Sequence, residues 1–147
     1  MGKSQKDGEE YITYSPEETQ SLGFRIAEKI SAKENLPKIF ALIGNLGSGK
    51  TTFAKGFFKF FGIKKISSPS FVIVNCYKKN IYHIDFFRLD SEEELWAIGL
   101  DEILFNSENI ILIEWAEKFI EILPEKRWEI YFHILNKNIR KIKILVK

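Results

Sequence analysis

Apolar positions recur along this chain with two different periods, and the switches between them divide it into elements. Ser15-Pro16-Glu17-Glu18 combines a serine N-cap, proline at the first helical position and glutamate three residues after the cap. Leu22, Ile26 and Ile30 then recur every fourth residue, which predicts an amphipathic helix as the first ordered element. Residues 38–43 (KIFALI) form a short apolar run between Pro37 and Gly44 with no helical period, the pattern of a buried strand. After a glycine-rich loop, Phe53, Phe57, Phe58 and Phe61 mark the inner face of a second helix that Gly62 stops.

Residues 71–77 (FVIVNCY) and 81–86 (IYHIDF) read as two strands joined around Lys78-Lys79-Asn80. Ser91 caps a third helix with Glu94 three residues on, and Gly99 closes it. Residues 109–113 are another buried strand, ending in Glu114-Trp115. The tail alternates cleanly: Trp128, Ile130, Phe132 and Ile134, a turn at Asn136-Lys137-Asn138, then Ile142, Ile144 and Val146. That is a hairpin with one solvated face. Helices and strands alternate early and strands dominate late, so the expectation is an α/β fold with a mixed, mainly parallel central sheet and a C-terminal β-hairpin.

With 147 residues, the chain has room for one domain. Residues 1–10 are expected to be a disordered lead-in and 11–147 the folded domain. The formal charge of +2 gives no strong field for nucleic acid, so DNA is not an expected partner and any RNA connection is indirect or local. The single Cys76 leaves no internal disulfide and fits a reducing compartment. No apolar run approaches the ~20 residues of a membrane span, and the polar start lacks the apolar stretch of a secretory signal. A cytoplasmic protein is expected.

The candidate chemistry begins at Gly44-Asn45-Leu46-Gly47-Ser48-Gly49-Lys50-Thr51, a full match to G-x-x-x-x-G-K-[ST] between a strand and a helix. Glycines let successive backbone N–H groups approach phosphates with no Cβ in the way. The helix N-terminus near Lys50 adds its dipole. Lys50 would reach the β- and γ-phosphates, and the Thr51 hydroxyl would ligate Mg²⁺. The expectation is a P-loop NTPase-like domain.

Such a site also needs a carboxylate at the end of a neighbouring strand. Asp85 and Glu114 both end apolar strands; one could hold the metal and the other orient the attacking water, with the assignment open. His83 shares a strand face with Asp85, although a lone histidine there reads first as a packed or hydrogen-bonded core residue. Arg88, just past Asp85, could sense phosphate or simply lie on the surface. Residues 67–70 (SSPS) sit where a switch loop would cover a γ-phosphate, or form an ordinary turn.

Several classes share a P-loop. A small-molecule kinase brings an arginine-bearing lid, but Arg25, Arg88, Arg127 and Arg140 are scattered and no long insertion is present. A GTPase reads guanine through N-K-x-D; here Asn136-Lys137-Asn138-Ile139 lacks the acid. A minimal ATPase serving a partner fits the small size, and a nucleotide-dependent switch, a kinase or an inert P-loop module are the alternatives.

Four ordered motifs sharpen the choice. LGSGKTT at 46–52, SPSF at 68–71, HIDFFR at 83–88 and IEW at 113–115, with EET and LG within 17–23, resemble the bacterial TsaE (formerly YjeE) family in order and spacing from Ser15 onward. The resemblance implies an Mg²⁺-dependent ATPase, not itself a transferase, needed to form threonylcarbamoyladenosine beside the anticodon of tRNA. It implies weak ATP hydrolysis that resets a complex of TsaB and TsaD, with tRNA met only indirectly. It implies phosphate and Mg²⁺ roles for Lys50 and Thr51, in a loop running from Asn45 through Leu46, Gly47, Ser48 and Gly49 to Thr52. It places Asp85 and Glu114 around the metal, gives the Ser68–Ser70 loop a switch-like role, ties Trp115 to activity, and puts Thr19 and Ser15 near the base. Three positions depart from the family pattern: Ser70 replaces threonine, Phe87 replaces tyrosine and Ala116 replaces proline.

Overall fold

The computed structural model describes residues 8–66 and 73–147. Ser68 and Ser70 lie outside the described residues. Among those described, seven strands form one sheet in the order β1-β7-β6-β2-β5-β4-β3. They are β1 (Glu9–Thr13), β2 (Ile39–Gly44), β3 (Val74–Lys78), β4 (Ile81–Asp85), β5 (Ile110–Glu114), β6 (Trp128–Ile134) and β7 (Arg140–Val146). The four central strands, β6, β2, β5 and β4, run parallel. β3 pairs antiparallel with β4, as β7 does with β6 and β1 with β7. The sheet is therefore the expected mixed one, parallel at its centre and closed by a C-terminal hairpin.

Alternation along the strands feeds two apolar layers. Phe40, Leu42, Leu112, Ile130 and Phe132 face helices α1 (Pro16–Ala32) and α2 (Lys50–Phe60). Ile39, Ala41, Ile111 and Ile113 face the short helices α3 (Glu92–Ala97) and α4 (Leu100–Leu104) and the 3-10 segment Ala116–Ile122. Burial on both faces explains why β2 and β5 read as unbroken apolar runs. Trp128 anchors one end of the first layer, stacking on Phe40 at 5.3 Å while its indole N–H donates to Pro37 O at 2.8 Å.

α1 and α2 cross in close contact because glycines stand at the crossing. A Cβ on Gly56 would lie 1.8 Å from Gln20 O, and one on Gly23 would lie 2.2 Å from Phe53 O. This crossing seats α2 against the sheet directly behind the glycine-rich loop.

Both predicted serine caps are present: Ser15 Oγ accepts from Glu18 N, and Ser91 and Glu94 form a reciprocal capping box. The structure differs from the sequence expectation at three places. Glu9 and Glu10, expected in the lead-in, begin β1, so the first ordered element precedes Ser15. That strand exists because β7 offers a free edge; its two glutamates carry little strand propensity of their own and suit an exposed edge. β3 runs to Lys78 rather than ending at residue 77, with a register shift between Cys76 and Lys78. Gly99, in the left-handed region at φ 79°, ends α3 as expected but also starts α4, which was not anticipated. No helix among the described residues is long and apolar enough to cross a membrane.

Candidate functional site

Because β2, β4, β5 and β6 are parallel, their carboxyl ends meet at one edge of the sheet. β2 ends at Gly44 and runs directly into the glycine loop, while β4 and β5 end at Asp85 and Glu114, which are cross-strand partners. This is the edge where parallel sheets gather ligands.

The loop has the backbone its glycines permit. Gly47 and Gly49 adopt φ values of 78° and 107°, a region costly for side-chain-bearing residues, and nothing lies within 4 Å of where a Gly47 Cβ would project. Ser48 N donates back to Asn45 O at 3.1 Å, tightening the turn. The Ser48 hydroxyl is buried with no hydrogen-bond partner among the described residues. Helix α2 begins at Lys50.

Lys50 is buried, and its ammonium lies 3.5 Å over the Trp115 ring while donating to Gly44 O. Burial pulls its pKa below the ordinary lysine value, opposed by the carboxylates of Glu117, Glu114 and Asp85. Trp115 itself has φ 57° and ψ 36°, rare for a bulky residue, and its ring also meets Phe87 at 5.0 Å. A strained residue that carries the face under a loop lysine is the kind of outlier that marks a working site.

Thr51 Oγ1 donates to Glu114 Oε1 at 2.9 Å. The other carboxylate oxygen, Oε2, lies 2.7 Å from His83 Nε2, and His83 Nδ1 lies 2.9 Å from Tyr77 Oη. An ionised carboxylate only accepts, so Nε2 carries the proton and Nδ1 accepts from the tyrosine. His83 is thus a buried, hydrogen-bonded residue of the core that holds Glu114 from behind. Asp85 Oδ1 accepts from Phe87 N at 2.7 Å. Burial raises the Asp85 pKa above the ordinary carboxylate value; the Phe87 N–H opposes the rise and Glu114 adds to it.

A cleft of about 210 Å³ lies over the loop. Its lining includes Lys50, Thr51, Glu114 and Trp115 together with Gly47 and Gly49 of the loop and Ser15 and Thr19 of the first helix and its cap. Asn45, Ser48, His83 and Asp85 do not line it; Ser48, His83 and Asp85 are buried and Asn45 is exposed. Arg88 lies in the exposed turn beyond Asp85, away from the cleft lining. Thr19 directs its hydroxyl to Thr13 Oγ1 at 2.7 Å, so its methyl is what approaches Gly49.

Residues that sequence reasoning passed over also contribute. Lys137, Asn138 and Arg140 line the cleft from the β6–β7 turn. Glu117 Oε2 accepts from Gly44 N at 3.3 Å. The alternating tail predicted the hairpin but not its neighbour; only the parallel pairing of β6 with β2 brings the turn to the edge of the glycine loop.

The donor set fits a nucleotide with magnesium. The left-handed glycines leave a Cβ-free cradle, the buried lysine supplies a positive charge, and the Thr51–Glu114 pair offers the hard oxygens that Mg²⁺ takes. Among the described residues no group of three His, Cys, Asp or Glu side chains is arranged to hold a metal alone.

A family model described as "Threonylcarbamoyl adenosine biosynthesis protein TsaE" matches residues 13–142. The chain is 39% identical to the tRNA threonylcarbamoyladenosine biosynthesis protein TsaE of Bacillus subtilis over 122 residues, 80% of this chain and 73% of that one. It is 44% identical to the protein of the same name from Borreliella burgdorferi over 93 residues, 61% of this chain and 68% of that one. The crystal structure of Bacillus subtilis YdiB is similar with a TM-score of 0.73 at 31% identity, covering 95% of this chain and 86% of that one.

Proposed function

The chain belongs to the TsaE family, and on that premise we propose that it is an Mg²⁺-dependent ATPase of tRNA threonylcarbamoyladenosine biosynthesis that acts on a TsaB–TsaD complex. The observation that carries the ATPase reading is the Thr51–Glu114 hydrogen bond beside a left-handed glycine loop. It couples the residue type that ligates Mg²⁺ in P-loops to a carboxylate at the end of the adjacent strand.

In this reading the loop N–H groups and Lys50 bind the β- and γ-phosphates, and Thr51 and Glu114 hold the metal directly or through water. A Mg²⁺ ion held by Thr51 and Glu114 would supply positive charge against the developing charge of the β- and γ-phosphates. Asp85, one strand over from Glu114, orients water or a metal-bound water from its buried position. Trp115 gives Lys50 a resting face, and Ser68 and Ser70 sense the γ-phosphate.

The near-neutral charge of +2 supports a protein complex, rather than tRNA, as what the chain touches. Its role is to reset TsaB–TsaD between turnovers in the cytoplasm, with no part in the transfer itself. The test is phosphate release from ATP and Mg²⁺ by the purified chain, alone and with TsaB–TsaD, with GTP as control. Slow ATP turnover that changes when the pair is added supports the reading. No ATP turnover in either condition, or a preference for GTP, overturns it.

A further inference from the structure

Lys118 is an exposed lysine that does not serve as a free surface charge. Its ammonium donates to Phe87 O at 2.7 Å and to Leu89 O at 2.6 Å, and the ion pairs among the described residues do not include it. Holding so long a side chain in one geometry costs rotamer entropy, which two charge-assisted bonds to one turn offset. The turn runs from the end of β4 towards α3. Phe86 N donates to Glu114 O and Leu89 N to Phe86 O, each at 3.1 Å. Phe87 N donates to Asp85 Oδ1 at 2.7 Å. Both peptide groups that flank the Phe87 Cα are therefore tied, one to the Asp85 carboxylate and the other to Lys118.

The other end of this staple is anchored in the site. Lys118 N donates to Trp115 O at 3.2 Å, which closes a tight turn right after β5. The Trp115 ring in that turn carries the Lys50 ammonium at 3.5 Å and meets the Phe87 ring at 5.0 Å. Glu117, beside Lys118, accepts from Gly44 N at 3.3 Å. Residues 115–118 thus touch the glycine loop, its lysine and the turn after Asp85 at once.

We propose that Lys118 is a positioning residue for ATP hydrolysis: it pins the backbone at Phe87 so that the Asp85 carboxylate keeps one orientation towards Lys50 and the Thr51–Glu114 pair. This rests on the ATPase reading above and on the part that reading gives Asp85. Of the influences on that carboxyl, burial is the largest and the Phe87 N–H the next, opposing it. That N–H is the handle through which a residue with no hydrogen bond to Asp85 acts on it. Lys118 does not line the cleft, so its effect falls on the arrangement of the site rather than on nucleotide binding.

The test uses the full chain with its Lys118→Met and Lys118→Arg variants, and two readouts: hydrogen exchange of the Phe87 amide without ligand, and ATP turnover with Mg²⁺. Methionine keeps the apolar stem and removes the donors, whereas arginine keeps donors. In Lys118→Met the Phe87 amide should exchange about tenfold faster, the size of a lost hydrogen bond to a charged group. Its kcat should fall about tenfold with KM for ATP within twofold of the parent. Lys118→Arg should recover most of both. Unchanged Phe87 exchange in Lys118→Met overturns the proposal, as does parental kcat despite faster exchange. A loss confined to KM overturns it too, because it would make Lys118 a binding contact, and so does a failure of arginine to restore the amide. If the parent turns over no ATP, the ATPase reading itself has failed; if Asp85→Asn keeps parental turnover, the part given to Asp85 has failed, and in either case the proposal falls with it. Should Lys118→Met not fold, Lys118→Gln, too short to span both carbonyls, carries the same expectations.

Discussion

Thr51 Oγ1 donates to Glu114 Oε1 at 2.9 Å, and through that one contact the first turn of α2 is joined to the end of β5. His83 occupies the other oxygen at 2.7 Å. Glu114 is therefore held by donors on both sides, its carboxylate fixed in one orientation before any ligand arrives. A carboxylate pre-set in this way lowers the reorganisation that a reaction using it demands.

Glu114→Gln tests that arrangement. An amide presents one acceptor and one donor, so it can satisfy Thr51 or His83 in their present roles but not both. ATP turnover should fall by about a hundredfold or more, with nucleotide affinity changed far less. Phosphate release and equilibrium binding measured on the same preparation separate the two effects. Turnover within a few fold of the parent would remove Glu114 from the chemistry.

Asp85→Asn separates function from stability. Burial holds the Asp85 carboxyl above its ordinary pKa, with Glu114 adding to the rise. Between the ordinary value and the raised one, the folded chain binds more protons than the unfolded chain. Stability therefore falls as pH rises through that window and stays reduced above it. The asparagine Oδ1 can still accept from Phe87 N. On the proposed role the variant should lose about a hundredfold in turnover, yet melt at or above the parent temperature at pH 7. The difference in melting temperature should close as the pH is lowered toward 3.8. A variant that melts below the parent at pH 7 would contradict this account.

Much of this arrangement was legible from residues close together in the chain. The glycine loop, the Ser15 and Ser91 caps, and the carboxylates ending β4 and β5 are local patterns, each with its own physical reason. The part that escaped depends on long-range pairing. Arg140 looked like one of four scattered arginines because nothing near it in sequence shows that β6 lies beside β2; once it does, Arg140 meets Gly47 across 93 residues. β1 escaped for a related reason: Glu9-Glu10-Tyr11 has weak strand character, and only the edge of β7 makes it a strand. His83 read as a packed or hydrogen-bonded core residue, which it is; its partners Tyr77 and Glu114 escaped because they come from the neighbouring strands β3 and β5.

Gly56→Ala should destabilise the fold, although the same change in an open helix favours folding by roughly 1 kcal/mol. The added methyl would sit 1.8 Å from Gln20 O, a backbone atom that cannot turn aside. α1 and α2 would have to separate, at a cost of about 3 kcal/mol, the upper range for overpacking. Urea denaturation gives the sign directly. A neutral or stabilising result would mean that the helix crossing relaxes far more easily than its contacts suggest.

The last prediction concerns a buried charge far from the cleft. Glu129, on β6, is enclosed by Arg127 at 2.7 Å, Lys147 at 3.3 Å and the Tyr131 hydroxyl at 2.7 Å. Burial alone would raise its pKa, but hydrogen bonds from Tyr131, Arg127 and Lys147 outweigh burial and hold it below the ordinary value. The Tyr131 hydroxyl, buried against that carboxylate, is pushed up to about 12 and stays a donor through the neutral range. For a depressed carboxyl the unfolded chain binds more protons in the window below 4.5, so the contribution is present above that value and lost as pH falls through the folded pKa. Arg127→Met should remove about 3 kcal/mol at pH 7, because it strips a buried carboxylate of its closest cation. Adding Glu129→Leu should recover most of that loss, since a matched apolar pair costs less than a lone charge. Denaturation of the parent and both variants at pH 7 and pH 3 completes the test. The Arg127→Met penalty should shrink at the acid end, where the carboxyl is protonated and no longer needs the guanidinium; a penalty independent of pH would mean that Arg127 acts by packing alone.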